Sequence, residues 1–431
     1  MDKKGLVIDV QERPKSIGQW IVLSLQHVFA MFGATVLVPI LTGLPVSVAL
    51  IASGIGTLSY IAVTKAKVPV YLGSSFAYIM AISLATSQFG VGAAYYGLVL
   101  VGIIYIIVAI IISFVGKNWL DKLLPPVVIG PMIMIIGLGL APVAVGQAGL
   151  SPGSANDFFA FLATDWRNPL IAAFTFLVTI FINLFFKGFL KIIPFIIGIV
   201  AGYILSVILG VVDITSVFSG GLFAWPEFNF MWSYAPNFSA LLLFAPIAFV
   251  TIAEHIGDHT VLGEICEKDF LKDPGLDKTL MGDGIATALS AFIGGPANTT
   301  YGENTGVVAM TKVGSVYVTG LAAVFAIVLG FILPINQFIS SIPAPVMGGI
   351  SMVLFGLIAV NGLRVLVKNK VDVNQMRNLV IIATMMVVGL GQAEIVISPA
   401  LSISGMAFAA VVGIILNQVI NLFEKLFPVK E

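Results

Sequence analysis

Apolar runs alternate with short polar connections along almost the whole chain. Runs such as 103–115, 170–186 and 192–209 are each long enough to form part of a helix that crosses a bilayer, which takes about 20 residues. Counting the runs predicts about fourteen crossings, centred near residues 27, 56, 76, 103, 135, 178, 199, 250, 286, 305, 325, 352, 384 and 411. The pattern therefore predicts an all-α polytopic membrane protein.

Two of these crossings are interrupted by small and polar residues. They contain Tyr71 to Phe76 in crossing 3 and Asn298 to Asn304 in crossing 10. Irregular backbone at membrane depth is tolerated only where protein or a water-filled cavity surrounds it, and a matched pair of such segments indicates a transporter's binding site. Because crossings 3 and 10 are seven apart, the spacing predicts two seven-helix repeats of inverted topology.

Charge placement indicates how the chain is oriented. The sequence is 59% hydrophobic and 10% charged, and its formal net charge is zero, so no nucleic-acid-binding face is expected. With the N-terminus inside, of the 21 Lys and Arg residues only Arg167 falls outside the cytoplasm, as the positive-inside rule predicts. Residues 1–20 lack a signal-peptide cleavage pattern. We expect a multi-pass protein of the cell inner membrane, with 1–20 and the tail 425–431 both cytoplasmic.

Other features concern packing rather than chemistry. Closely spaced glycines in 130–146 and 348–362 predict tight helix contacts in the bilayer. The single cysteine, Cys266, excludes an internal disulfide, and its neighbours Glu264, Glu267 and Lys268 predict a surface loop there. No role is expected for this thiol.

Three carboxylates lie inside apolar segments: Glu254, Asp258 and Glu303. An ionisable group at membrane depth costs at least about 2.5–3.5 kcal/mol, which favours a functional interpretation. Glu254 and Asp258 are four residues apart and so share one helix face. Two adjacent buried carboxylates cannot both stay ionised cheaply, and a proton carrier would be built in this way. The alternative is a structural pair satisfied by hydroxyls and backbone amides.

Histidines next to these carboxylates raise the question of a metal. His255 and His259 form Glu-His-Ile-Gly-Asp-His with Glu254 and Asp258, which is not the His-Glu-x-x-His order of zinc proteases, and no third ligand can be named. We expect no metal, no cofactor and no enzymatic activity, since catalytic motifs of intramembrane enzymes are also missing from the sequence. His27 in crossing 1 is as compatible with packing as with function.

The broken segments offer the groups that a rigid planar molecule with alternating donors and acceptors would need. Half-helix N-termini present free amides for carbonyl groups, and Phe76 supplies an aromatic ring. Glu303 follows Gly302, where the absence of a side chain allows close approach to the backbone. Phe76 alone carries little weight, because most phenylalanines of such a chain face lipid or the core.

These residues resemble the nucleobase-ascorbate transporter family, also called the nucleobase:cation symporter-2 family, and within it the bacterial branch that carries uracil. The likeness covers nearly the whole chain and is strongest in 24–35, 71–76, 253–257 and 298–312. The last stretch fits the family signature of an acidic or amide residue, Asn-x-Gly, four variable positions and Thr. Glu303 at the first position resembles the pyrimidine branch rather than the xanthine or urate branch.

The resemblance implies an architecture and a mechanism. Residues 21–116 and 238–333 would form a core domain, 117–237 and 334–424 a gate domain, and crossings 3 and 10 would contain short antiparallel strands. Uracil would be taken into the cytoplasm together with protons, by alternating access, and the protein would be a homodimer in the bilayer.

The resemblance also implies roles for individual residues. Glu254 and Glu303 would bind the uracil ring nitrogens and the nearby oxygen, and the backbone amides of Phe76 and Gly302 would bind its carbonyls. The remaining pocket residues would be Ala34, Ser75, Tyr301 and Ser351.

Two positions depart from the family pattern. Asp258 stands where a histidine is expected, with His259 next to it, and Phe355 stands where a tyrosine would line the pocket. Proton coupling through Glu254, Asp258, Glu303 and His259 is therefore a hypothesis. Transport of another nucleobase such as xanthine, transport of an anion on the same fold, and a channel remain alternatives.

Overall fold

The computed structural model describes residues 5–150, 166–215, 220–398 and 401–427. The elements of the first half are α1 (Ile17–Thr42), α2 (Val46–Val63), β1 (Leu72–Ser74), a 3-10 turn (Phe76–Tyr78), α3 (Ile79–Phe89), α4 (Val91–Val115), α5 (Asn118–Leu123), α6 (Pro126–Gly139), α7 (Ala141–Gln147), α8 (Arg167–Phe185), a 3-10 turn (Gly188–Ile192) and α9 (Pro194–Ile208). Proline begins α6 and α9, where its fixed φ and missing N–H suit a first helical turn.

The second half has the same order of long helices around a second broken segment. Its elements are a 3-10 turn (Met231–Ser233), α10 (Leu241–Cys266), α11 (Leu276–Phe292), β2 (Asn298–Thr300), α12 (Gly302–Thr311), α13 (Val316–Gly330), α14 (Leu333–Ser340), α15 (Ala344–Lys368), α16 (Met376–Leu390), β3 (Glu394–Ser398), β4 (Leu401–Ser404) and α17 (Gly405–Leu426). A turn of π-helix, Leu271–Gly275, precedes α11.

The described elements match the predicted crossings one by one. Eight stretches, with α6 and α7 counted together, are long and apolar enough to span a membrane, and four shorter apolar helices accompany them in the described part of the chain. Helix α11 and the broken segment β2–α12 complete the fourteen predicted positions. The predicted all-α fold with broken segments 3 and 10 is confirmed.

Packing divides the described helices into two groups. Helix α11 lies between α4 and α2, and α13 packs on α2 and α1. In the other group, α15 packs on α6, α7 and α8, while α16 and α17 pack on each other and on α6. Helix α10 contacts members of both groups, including α4, α6 and α17.

Glycines allow the closest helix contacts, as the sequence predicts. A Cβ added at Gly137 would lie 2.3 Å from the carbonyl oxygen of Phe355, and one at Gly362 would lie 2.5 Å from that of Gly130. Any larger side chain at these positions would push α6 and α15 apart. The predicted tight packing of the two glycine-rich segments is confirmed.

Two features differ from the sequence predictions. Strands β3 and β4, which pair antiparallel with Ile395 opposite Ile403, were not expected between α16 and α17. The predicted surface loop at Cys266 is wrong, because this residue is the last of α10 and is 4% exposed. Leu6, Val10 and Phe270 cover it in a small hydrophobic cluster.

Candidate binding site between the broken segments

The two broken segments meet as a pair of short antiparallel strands. Leu72 lies opposite Thr300, and Ser74 lies opposite Asn298. The pairing continues at both ends, since Ser75 N donates to Ala297 O (2.8 Å) and Tyr301 N donates to Tyr71 O (3.1 Å). Helical structure resumes at Phe76 after β1 and at Gly302 after β2. Two half-helix N-termini, which carry unpaired amides and partial positive charge, therefore begin next to one strand pair.

Side chains from neighbouring helices satisfy the backbone of these strands. Thr57 of α2 exchanges hydrogen bonds with the N–H (2.9 Å) and carbonyl (3.3 Å) of Leu72, and Thr287 of α11 donates to Asn298 O (3.0 Å). The amide of Asn298 donates to the carbonyls of Ala52 (3.1 Å) and Ala286 (3.2 Å). Irregular backbone can persist at membrane depth because protein groups supply its partners.

Tyr301 locks the strand pair onto α1. Its hydroxyl donates to Ser74 O (2.9 Å) and accepts from Thr35 Oγ1 (3.2 Å), and its side chain is buried. A Cβ at Gly73 would lie 2.5 Å from the Tyr301 ring, so only glycine fits there without moving the ring. The predicted pocket residue Tyr301 thus also supports the strand on which the pocket is built.

The predicted carboxylates lie beside an opening. Glu254, Asp258 and Glu303 are half-buried, while Gly257 and Gly302 next to them are exposed. A Cβ added to either glycine would meet no atom of the described residues within 4 Å. Thr300 Oγ1 of β2 donates to Asp258 Oδ2 at 2.6 Å, which connects α10 to the strand pair. The geometry thus leaves room for a small ligand on the side of α10 that carries Glu254 and Asp258.

Beside this opening, Phe76 contacts α15, which belongs to the group of helices packed around α6. Its ring lies edge-on to Phe355 of α15, with 6.3 Å between ring centroids. Ser351, one turn before Phe355, is buried, and within the described residues neither its hydroxyl nor that of Ser75 has a hydrogen-bond partner. Ala34 is buried in the same hydrophobic cluster as Tyr301 and Phe355, against which Phe76 packs.

Two predicted candidates are engaged elsewhere in the protein. His27 accepts a hydrogen bond from the Asn304 amide at Nδ1 (3.1 Å) and another at its carbonyl (3.0 Å), so it ties α1 to α12. His259 is buried; its Nδ1 bonds the carbonyl of His255 (2.8 Å) and its Nε2 bonds the Tyr60 hydroxyl. Its ring therefore lies apart from the carboxylate face of α10.

A buried hydrogen-bond partner of His255 escapes the sequence predictions. Asp283 of α11 lies with Oδ2 2.9 Å from Nδ1 of His255, and both side chains are fully buried. The His255 ring stacks on His259 with 3.9 Å between centroids. Among described residues, Asp283 Oδ1 and His255 Nε2 lack partners. The glycines flanking Asp283, Gly282 and Gly284, are a sequence signal for close packing that could have drawn attention to it.

A cavity of about 540 Å³ extends from Phe76 along one side of α3. It runs between α3, α6 and the first half of α10 to the connection between α16 and α17. Its lining includes Ser87, Gln88, Ile247 and Gln392 besides Phe76. The cavity therefore lies between the two helix groups and ends at the ring that faces Phe355.

Comparison with known proteins gives matches over nearly the whole chain. A family profile described as the permease family matches residues 18–397. "Uracil permease" of Bacillus caldolyticus is 47% identical, covering 97% of this chain and 98% of that protein. The protein of the same name from Bacillus subtilis (strain 168) is 46% identical, covering 97% of this chain and 96% of that protein. The one from Escherichia coli (strain K12) is 42% identical, covering 98% of this chain and 95% of that protein.

Solved structures share the fold at low sequence identity. The transmembrane domain of the cyanobacterial bicarbonate transporter BicA has a TM-score of 0.61 and 14% identity, covering 95% of this chain and 100% of that one. The murine Slc26a9 anion transporter in the inward-facing state has a TM-score of 0.67 and 12% identity, covering 96% and 69%. These likenesses confirm the predicted fold of two inverted repeats.

Proposed function

The chain belongs to the permease family, and on this premise we propose that it takes uracil into the cytoplasm in symport with protons. Membership makes it a transporter rather than an enzyme. Uracil as the substrate is supported by the name of relatives that are 42–47% identical over nearly their full length. The observation that carries the proposal is the strand pair that brings two helix N-termini together near half-buried carboxylates.

Each group of the site has a role in this proposal. Glu254 and Glu303 accept hydrogen bonds from the ring N–H groups of uracil. The amides of Phe76 and Gly302 lie in first helical turns, where no intrahelical acceptor is available, and donate to the ring carbonyls. The Phe76 ring packs on the flat face of the base, while Ala34, Ser75, Tyr301 and Ser351 limit the size of the pocket.

The carboxylates also supply the proposed coupling to protons. A half-buried cluster of Glu254, Asp258 and Glu303 is more stable with fewer negative charges, because like charges in a low-dielectric site repel strongly. Asp258, which the Thr300 hydroxyl holds at 2.6 Å, replaces the expected histidine as a carrier, and His259 supports α10 next to it. The site needs no metal or cofactor to perform this step.

Movement of two domains would expose the site to each side in turn. We assign residues 21–116 and 238–333 to a core domain and 117–237 and 334–424 to a gate domain. The division follows helix packing, which is dense within each group. The cavity between the groups and the ion pair between Glu264 and Lys368 (3.0 Å) lie where core and gate would slide.

Orientation and assembly complete the proposal. We place the protein in the cell inner membrane with both termini in the cytoplasm. In this orientation the cavity beside α3 opens on the side of the membrane opposite the cytoplasm. The distribution of Lys and Arg supports this orientation. The family resemblance supports a homodimer.

Uptake of labelled uracil into proteoliposomes with an imposed pH gradient tests the proposal. We expect accumulation above equilibrium that a protonophore abolishes. Glu303→Gln should lose accumulation, whereas Glu267→Gln, the same change at the exposed end of α10, should retain it. Binding of uracil without accumulation would refute proton coupling. If unlabelled xanthine or sulfate competed for the site and unlabelled uracil did not, uracil would be refuted as the substrate.

A further inference from the structure

A short segment before α1 lies across the ends of the helices that carry the carboxylates. This N-terminal strap (residues 5–16) runs along the connection between α12 and α13. Val7 N donates to Lys312 O (2.6 Å), Gly314 N donates to Ile8 O (3.0 Å) and Val316 N donates to Val10 O (2.9 Å). Ile8 pairs with Val313 as a parallel bridge. The strap is therefore held in a fixed register.

Side chains of the strap alternate between buried and exposed positions. Ile8 and Val10 are 6% and 1% exposed, whereas Val7 is 70% exposed. This period of two is typical of an extended segment with one face on a protein surface. The strap thus docks through apolar side chains as well as backbone hydrogen bonds.

Polar contacts join the strap to the end of α10 and to the start of α13, which follows α12 directly. Lys268, just past α10, bonds both oxygens of Asp9 (2.8 and 3.0 Å), and its hydrogen bond holds the pKa of Asp9 below its usual range. Arg13 lies 4.5 Å above the ring of Tyr317, and Ser315 Oγ donates to Glu12 O (2.5 Å). Asp9 therefore stays ionised and paired at neutral pH.

Apolar packing joins the same two places. At Gly314, an added Cβ would lie 2.8 Å from Leu6 and 3.4 Å from the sulfur of Cys266. Val10 and Cys266 share a hydrophobic cluster with Val308 of α12 and Leu72 of β1. The strap thus links the end of α10 to the end of α12.

We propose that the N-terminal strap is a positioning clamp that fixes the spacing of Glu254 and Glu303. Glu254 lies about 18 Å before the end of α10 and Glu303 about 12 Å before the end of α12, at 1.5 Å per residue. Helices transmit displacements over such lengths, so an unclamped end would shift the carboxylates relative to one another. The clamp rests on the proposed function and belongs to the core throughout the transport cycle.

Loosening the strap should weaken binding without slowing turnover. Asp9→Asn/Val10→Ser removes the ion pair and a buried contact. We expect the Kd and KM for uracil to rise up to about tenfold, because displaced carboxylates make weaker hydrogen bonds to the base. Vmax should stay within twofold. Asp121→Asn makes the same Asp-to-Asn change on α5, away from the strap, and should leave Kd, KM and Vmax unchanged. Unchanged Kd in the strap variant would refute the clamp, whereas a wild type that does not bind uracil would refute the proposed function.

A disulfide tests the clamp without weakening it. Cys266 is the only cysteine in the sequence, so Leu6→Cys creates one possible pair. We expect oxidation to join the two residues and leave uracil uptake intact, because the strap moves with the core. Absence of the cross-link would contradict the docked position, and oxidised protein whose uptake returns only on reduction would show that the strap must detach.

Discussion

Gly302→Ala separates the folding role of a glycine from a role in binding. Gly302 is the first residue of α12, is exposed, and has space for a Cβ with no atom within 4 Å. Alanine is favoured over glycine in helices by up to about 1 kcal/mol, so stability should be unchanged or slightly higher. The methyl group would instead point into the opening beside Glu303.

The expected loss in affinity follows from the proposed contact. If a uracil carbonyl accepts from the Gly302 N–H, a methyl group at the point of approach lengthens or removes that hydrogen bond. A hydrogen bond contributes about 0.5–1.5 kcal/mol, which corresponds to roughly a two- to tenfold rise in Kd. Gly306→Ala, one turn further along α12 and also in open space, should bind as the wild type does.

Isothermal titration of uracil and thermal unfolding of the same detergent-purified samples measure both quantities. We expect Gly302→Ala to keep its unfolding temperature and lose affinity. Wild-type affinity for this variant would refute close approach of the substrate at Gly302. Equal losses in Gly302→Ala and Gly306→Ala would show that the helix, rather than one amide, responds to the methyl group.

Three further predictions concern coupling, access and packing. Asp258→Asn should abolish pH-driven accumulation while uracil binding stays measurable; unimpaired accumulation would remove Asp258 from the coupling. Ser87 lines the cavity, so an impermeant thiol reagent added outside should slow uptake by Ser87→Cys. Ser113→Cys is the control and should be insensitive to the reagent; the Ser113 hydroxyl, like that of Ser87, bonds the carbonyl three residues earlier. Gly73→Ala should lower the free energy of unfolding by about 1–3 kcal/mol, because the methyl group overlaps the Tyr301 ring; wild-type stability would contradict the described contact.

Hydropathy predicts the number and order of crossings well because a chain in lipid must satisfy its backbone within each segment. The broken segments are also readable from sequence, since Gly73, Ser74 and Asn298 would be unfavourable in a helix facing lipid. The register in which the two segments pair cannot be predicted from sequence, because strands of three residues have too little periodicity to specify a partner. That register depends on Tyr301 and on side chains of α2 and α11, which are distant in sequence.

The two misjudged positions have a common cause. Cys266 stands among charged residues, so local composition indicates a polar connection there. Asp283 lies near the centre of a predicted crossing, but the polar residues Asp277 and Lys278 shortly before it make this segment less apolar than the others, and Asp283 is not counted among the carboxylates inside apolar segments. Both are buried by parts of the chain far away in sequence: Cys266 by the N-terminal strap, and Asp283 by α2, α4 and α10. Burial of this kind requires the tertiary structure.

Whether the His255–Asp283 pair is structural or functional can be decided by removing its members singly and together. Removing one partner of a buried hydrogen-bonded pair leaves the other unsatisfied, which costs about 1–3 kcal/mol, whereas replacing both by apolar groups can be nearly neutral. Asp283→Leu should therefore destabilise the protein strongly, and His255→Leu/Asp283→Leu should recover most of the loss, as measured by SDS unfolding. Additive losses would contradict direct coupling of the two side chains.

Uracil binding by the recovered double variant gives the second half of the answer. The pair lies on the side of α10 away from the opening. The double variant removes the ring on which His259 stacks but keeps the His255 carbonyl and the Tyr60 hydroxyl that bond it. If the pair only supports α10, the stable double variant should bind and accumulate uracil as the wild type does. A variant that is stable and binds uracil but does not accumulate it would mean that Asp283 takes part in moving the proton, in addition to the carboxylates beside the opening.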